Sequence, residues 1–378
     1  MTRDRAFLLI CLFLLPAFAL AEERPKDPVQ AIRTLRSIQD RVAQGSSEAY
    51  EVQKQYLAEL NEQMGKFDPE VWKDPRNARA AIFFVLSGGD PKLLRDLLNR
   101  GSAPAIDERL LKGALAYAEG QSAEAAKLLD GIEARALEPS MGGLVALVQG
   151  TLLEKLDTNK AIALLDDARL LSPGTLIEES ALRREILLVA RGGDLERFDR
   201  LHSQYARRFR RSIYGASFRR EILAGVARRE FGGASEWITR IEGVLEKLGH
   251  EEQREAYLVI AEEAVAGGNA DIARYAAGRA AKLAPEGSVE RERARLYEGT
   301  ALIVSDEFDK GLSALQGAAR DKLSASDTEI LESALALAGQ IRKWPATPAG
   351  SSDPMPASVT RAQSAISAVD SLLGEGVQ

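Results

Sequence analysis

Apolar positions along the chain recur at helical spacing. Ile32, Leu35, Ile38 and Val42 share one helix face, Val52, Tyr56, Leu60 and Met64 another, and Ala78, Ala81, Ile82 and Val85 a third. Polar punctuation precedes them. Asp-Pro pairs stand at Asp27-Pro28, Asp68-Pro69, Asp74-Pro75 and Asp90-Pro91. Aspartate caps the free amides of a first turn, and proline at the next position has no N–H to leave unpaired. Each pair therefore predicts a helix start, and Gly45 predicts the end of the first helix. No stretch alternates apolar and polar residues with the period of a strand between hairpin turns, so essentially no sheet is expected.

Further along, a turn signal repeats at Gly88-Gly89-Asp90, Gly120-Gln121-Ser122, Asp157-Thr158-Asn159, Gly192-Gly193-Asp194, Gly232-Gly233-Ala234, Gly267-Gly268-Asn269 and Ser305-Asp306. Its period is about 36 residues, with a helical pattern on either side of each turn, as in helix–turn–helix solenoids. Ala161, Ala168 and Pro173 in one unit have the same spacing as Ala273, Ala280 and Pro285 in another. Small residues let neighbouring helices approach, and proline ends the second helix. Gly113, Gly120 and Ala125 fit the earlier part of the same pattern, which resembles the tetratricopeptide repeat. The expected fold is all-α, a TPR-like helix-turn-helix solenoid. An irregular helical bundle of the same composition is the alternative. The N-terminal helical region is placed at 22–101 and the repeats at 102–343. From Trp344 the chain becomes rich in Pro, Gly and Ser, which reads as a linker. Val359, Ala362, Ile366, Val369 and Leu373 then predict a short tail helix. Weak docking back onto the protein is favoured for it over binding a partner.

The first 21 residues read as an address. Arg3 and Arg5 precede an apolar run from Ala6 to Leu15, too short for a bilayer core of roughly 30 Å. Ala19-Leu20-Ala21 offers small residues before Glu22. Residues 1–21 are expected to be a signal peptide cleaved after Ala21, which takes with it Cys11, the chain's one cysteine. The mature protein is expected in the periplasm, held together by packing without disulfides, and not spanning the membrane.

Composition narrows the chemistry. Of 378 residues, 45% are hydrophobic and 28% charged, and the net charge is −6, which argues against nucleic-acid binding by bulk electrostatics. Two histidines and one cysteine leave too few ligands for a zinc centre. No nucleophile elbow, P-loop, zincin or calcium-loop motif is present. No catalytic or metal residue and no cofactor is expected. His202 is expected to be solvated, and His250 to sit among the carbonyls of a helix end. The carboxylate pairs Asp166-Asp167, Glu178-Glu179 and Glu262-Glu263 read as solvated helix faces, because neighbours on a helix do not face each other.

One local feature departs from this background. Residues 183–230 hold 13 arginines, no lysine and six carboxylates in an otherwise acidic chain. Leu201, Tyr205 and Phe209 form an apolar stripe, continued by Phe218 and Ile222, with arginines over the rest. Arg207, Arg208, Arg210, Arg211, Arg219 and Arg220 are candidates for binding a partner's carboxylates or phosphates through planar guanidinium forks. The alternative is a solvated face, or arginines paired with acidic helices elsewhere in the chain.

Three stretches carry a family resemblance: Arg33 to Gly45, Asp74 to Arg79 followed by Leu86 to Pro91, and Ala181 to Ser212. Together they resemble the MotC family, periplasmic motility proteins of rhizobial flagellar motors, over most of 28–340. The resemblance implies a non-enzymatic protein required for motor rotation, acting on the periplasmic part of the stator protein MotB. It carries over no functional residue. The rival readings are a generic periplasmic scaffold for envelope or secretion machinery, and an enzyme related to peptidoglycan-cleaving transglycosylases. The second would need a catalytic domain after the repeats, where only about 35 residues of linker and tail remain.

Overall fold

A computed structural model describes residues 27–99, 106–231, 234–246 and 248–343, with side chains left out at 234–237. The expected signal peptide, the Gly232-Gly233 turn and the linker and tail from Trp344 lie outside the described residues. Among those residues the chain is all-α, with seventeen α-helices, four short 3₁₀ helices and no strand. It divides between residues 247 and 248 into two compact units.

The first unit opens with α1 (Pro28–Ala43), α2 (Ser47–Gln63), α3 (Pro75–Leu86) and α4 (Lys92–Asn99). The aspartates act as the sequence predicts. Asp27 accepts from the Gln30 amide, Asp74 from that of Arg76 and Asp90 from that of Lys92, each at 2.8 Å. Asp68 also caps, accepting from Glu70 N at 2.9 Å, but it heads only the 3₁₀ helix Pro69–Lys73. The reason is local. Pro75 disfavours helical backbone at Asp74, whose ψ is 121°, so the run must stop there before α3 restarts. The apolar faces of these helices converge on a core containing Leu35, Leu60, Met64, Trp72, Ile82 and Phe84.

Helical hairpins follow: α5 (Glu108–Ala118) with α6 (Ser122–Leu129), α7 (Pro139–Leu153) with α8 (Thr158–Leu171), and α9 (Leu176–Arg191) with α10 (Leu195–Arg208). The unit ends with α11 (Gly215–Ala227) and α12 (Ala234–Leu245). In the second unit α13 (His250–Ala266) pairs with α14 (Ala270–Leu283), and α15 (Val289–Leu302) with α16 (Phe308–Gln316), before α17 (Ala325–Lys343). The predicted turns join these pairs. Asp157 and Asp194 cap α8 and α10, accepting from Lys160 N at 3.0 Å and Arg197 N at 2.9 Å. Pro173 and Pro285 lie just beyond the last residues of α8 and α14.

Small residues set the spacing inside the hairpins. Ala161, Ala168, Ala273 and Ala280 are fully buried. A Cβ placed on Gly113 would lie 2.5 Å from Leu129 Cδ2, one on Gly150 3.0 Å from Leu165 Cγ, and one on Gly299 3.2 Å from Leu315. Three hairpins thus repeat one device: glycine on the first helix meets leucine on the second. In each hairpin the leucine follows its glycine by 15 or 16 residues, and of the three glycines Gly113 is the one that fits the tetratricopeptide pattern.

Candidate functional site

The arginine-rich segment folds into the end of α9, α10, α11 and the corner between the last two. Leu201, Tyr205, Phe209, Phe218 and Ile222 are all buried, so the predicted apolar stripe faces inward. Tyr205 lies at its centre, with ring centroids 4.7 Å from Phe218 and 5.8 Å from Phe209.

Beneath the stripe lies a layer of buried charge supplied by α9. Glu178, Glu179 and Glu185 are at most 1% exposed. The expectation of a solvated Glu178-Glu179 pair is therefore corrected. Adjacent helix residues do diverge, but here each is buried and finds its own partners. Glu178 accepts from Gly174 N at 2.5 Å and Gln204 Nε2 at 3.2 Å, and pairs with Arg208 at 3.0 Å. Glu179 accepts from the Tyr205 hydroxyl at 3.1 Å and from Ser212 Oγ, with Arg183 3.7 Å away. Burial pushes the Glu179 carboxyl above its ordinary range, and the Ser212, Arg183 and Tyr205 partners only partly offset this. Burial raises Tyr205 as well, reinforced by the charge of Glu179.

Glu185 anchors a second network. Arg197 donates to it at 2.8 Å and to Asp166 at 2.6 Å, and Arg169 pairs with the same two carboxylates. Arg169 Nε lies 2.8 Å from Glu185 Oε2 without hydrogen-bond alignment, a purely ionic approach. Burial again raises the Glu185 carboxyl, against the pull of Arg169 and Arg197. The buried charge of Glu185 on α9 is thereby compensated by half-buried partners on α8 and α10.

The arginines divide accordingly. Arg184 pairs with Glu154 at 2.7 Å and Arg228 with Glu230 at 2.8 Å. Arg183 also lies over the Tyr214 ring at 4.8 Å. Of the six candidate residues, Arg208 is tied to Glu178, and Arg220 is exposed but engaged. Arg207, Arg210, Arg211 and Arg219 are exposed and form no ion pair among the described residues. An inner set is thus paired with acidic helices, as the alternative reading expects, and an outer set of four is left to solvent.

Both histidines depart from expectation. His202 is half-buried, stacked on Phe198 with centroids 5.5 Å apart, and burial lowers its pKa against the pull of Asp199. His250 begins α13 instead of ending a helix. Gly249 is extended there, with ψ 155°, and donates its amide to Glu252 Oε2 at 3.3 Å. The signal missed was the Glu252 side chain placed to satisfy the start of a helix. Among the described residues no group of His, Cys, Asp and Glu is arranged to hold a metal.

The family model described as chemotaxis protein MotC matches residues 1–375. The chain belongs to the MotC family. It is 32% identical over 319 residues to the chemotaxis protein MotC of Rhizobium meliloti (strain 1021), covering 84% of this chain and 73% of that one. No solved structure matches the chain. Membership in the MotC family makes this a chemotaxis- and motility-related protein. None of the described helices is long and apolar enough to cross a membrane.

Proposed function

We propose that this MotC family member is a non-enzymatic, periplasmic interaction protein of the flagellar motor, with a TPR-like solenoid as its scaffold and the periplasmic part of the stator protein MotB as its partner. The observation that carries the proposal is the outward set Arg207, Arg210, Arg211 and Arg219, unpaired above a layer whose own charges are internally matched. Guanidinium groups held on a fixed corner are suited to carboxylates on a partner surface, and their attraction steers encounter as well as binding. The hairpins with repeated Gly-Leu and alanine contacts support the scaffold reading. The Arg3 to Ala21 pattern supports export.

A strain lacking the gene is expected to assemble normal filaments and fail to swim. A normally swimming deletion strain refutes the motor role. Changing Arg207, Arg210, Arg211 and Arg219 to Glu is expected to abolish capture of the MotB periplasmic fragment while leaving the circular dichroism spectrum unchanged. Unaltered capture removes these arginines from the interface.

A further inference from the structure

Arg211, one of the four free arginines, adjoins a hollow of about 570 Å³ lined by Ser47, Glu48, Tyr50, Glu51, Ile213 and Tyr214. The two are joined by backbone as well as sequence. Arg211 packs its carbonyl against Gly45, so close that a Cβ there would sit 2.1 Å from the oxygen. Arg211 therefore stands between Gly45, which leads into the first turn of α2, and Ile213 on the opposite wall. The walls are aromatic. Tyr50 and Tyr214 meet edge to face at 6.3 Å, Lys54 lies over the Tyr50 ring at 4.2 Å, and Arg183 over Tyr214 at 4.8 Å. Lys54 and Arg183 thus cover ring faces of the two tyrosines while facing Glu51 and Glu179, and the unpaired cation at the edge of this aromatic hollow is Arg211. Glu51 is neutralised by Lys54 at 3.1 Å, leaving Glu48 as the one unpaired carboxylate among the lining residues.

Building on the reading that this corner binds a protein partner, we propose that it receives an acidic segment carrying one aromatic side chain. The aromatic ring enters the hollow beside the Tyr50–Tyr214 pair, and flanking carboxylates engage Arg207, Arg210 and Arg211. The two halves of the surface suit different parts of such a segment. A ring buries much area for little conformational entropy and packs edge to face against tyrosines. The guanidiniums supply orientation and on-rate, and Glu48 repels a carboxylate placed on the wrong side.

The test uses the chain from Glu22 onward and three short synthetic peptides, read by fluorescence anisotropy. The first is rich in Asp and Glu with a single Trp, the second has Ser in place of that Trp, and the third has Lys in place of the acids. The first is expected to bind about tenfold or more tightly than the second, the difference a buried aromatic anchor makes, and the third not to bind. Ser47 is exposed and does not cap α2, a role that falls to Ser46. Ser47→Trp should therefore plug the hollow without disturbing the fold. It is expected to bring the first peptide down to the affinity of the second, with an unchanged melting temperature. Equal binding of the first two peptides, or no effect of Ser47→Trp, overturns the aromatic anchor. Acidic peptides that bind no better than the lysine peptide overturn acidic recognition. These outcomes are separate from the motor role: a strain that swims normally, or a chain that ignores the MotB fragment yet binds the tryptophan peptide, refutes the stator reading and leaves the docking surface standing.

Discussion

Tyr205 on α10 donates its hydroxyl hydrogen to the carboxylate of Glu179 on α9 at 3.1 Å, with both side chains buried. The bond ties the arginine-bearing helix to its neighbour through a charged group that water does not reach. Burial raises the Glu179 carboxyl above the ordinary glutamate value of 4.5. A raised folded-state value means that the native protein holds this proton more tightly than the unfolded chain does. Its contribution to stability is therefore fully present below 4.5 and is lost as pH rises through the elevated value. Ser212, Arg183 and Tyr214 face the same carboxylate and set how far the window extends. Glu179→Gln keeps an acceptor for Tyr205 but cannot titrate. Urea midpoints of both proteins, measured from that pH to neutrality, should show the variant gaining on the wild type as pH rises. Parallel curves would mean that Glu179 keeps an ordinary pKa.

Arg197 is the hinge of the second network, shared by Glu185 and Asp166. Arg197→Met leaves Glu185 buried with Arg169 alone. Removing one partner of a buried pair generally destabilises by roughly 3–5 kcal/mol when the remaining charge is left uncompensated, and the loss here should fall below that range because Arg169 still pairs with Glu185. Adding Glu185→Gln should recover part of that loss, a coupling that a double-mutant cycle in urea measures directly. An additive cycle would show that the two residues do not interact.

Much of this fold is legible in the sequence, and the reason is locality. Asp27, Asp74, Asp157 and Asp194 cap amides two or three residues away, so the chemistry and the target share one short stretch. Ala161 and Ala273 mark close helix contacts because only small residues suit them. The buried charge is not legible. Glu178 and Glu179 look like a surface pair, and the groups that bury them, Gln204, Tyr205 and Ser212, lie 26 to 33 residues on. The arginine excess in 183–230 hints at such partners but does not say which arginines they occupy. Arg208 and Arg210 are alike in sequence, and only the folded geometry pairs one with Glu178 and leaves the other free.

The Gly-Leu contacts within hairpins are graded by distance, and stability should follow the grading. A Cβ on Gly113 meets Leu129 at 2.5 Å, and one on Gly150 meets Leu165 at 3.0 Å. Alanine improves helix propensity by about 1 kcal/mol at either site. Overpacking at the closer contact, generally about 1–3 kcal/mol, outweighs that gain. Gly113→Ala should therefore be the more destabilised of the two, with Gly150→Ala near the wild type. Both lie in the first unit, so one thermal transition compares them. The reverse order would mean that Leu129 moves aside more readily than Leu165.

Gly45 and Gly88 separate backbone strain from crowding, and the first also bears on binding. Both have positive φ, +98° and +99°, a region that disfavours any residue with a Cβ. Nothing lies within 4 Å of a Cβ at Gly88, whereas one at Gly45 would collide with the Arg211 carbonyl at 2.1 Å. Gly88→Ala should lose only the conformational part, about 1–2 kcal/mol. Gly45→Ala adds a clash against backbone that cannot rotate away, for a total of about 3 kcal/mol or more. Relief of that clash must push the α10–α11 corner away from α2, opening the hollow between Ser47 and Tyr214. At temperatures where Gly45→Ala remains folded, it should thus lose affinity for the MotB fragment, whereas Gly88→Ala should bind as the wild type does. Equal binding by the two variants would show that the spacing between α2 and the arginine corner does not matter to the partner.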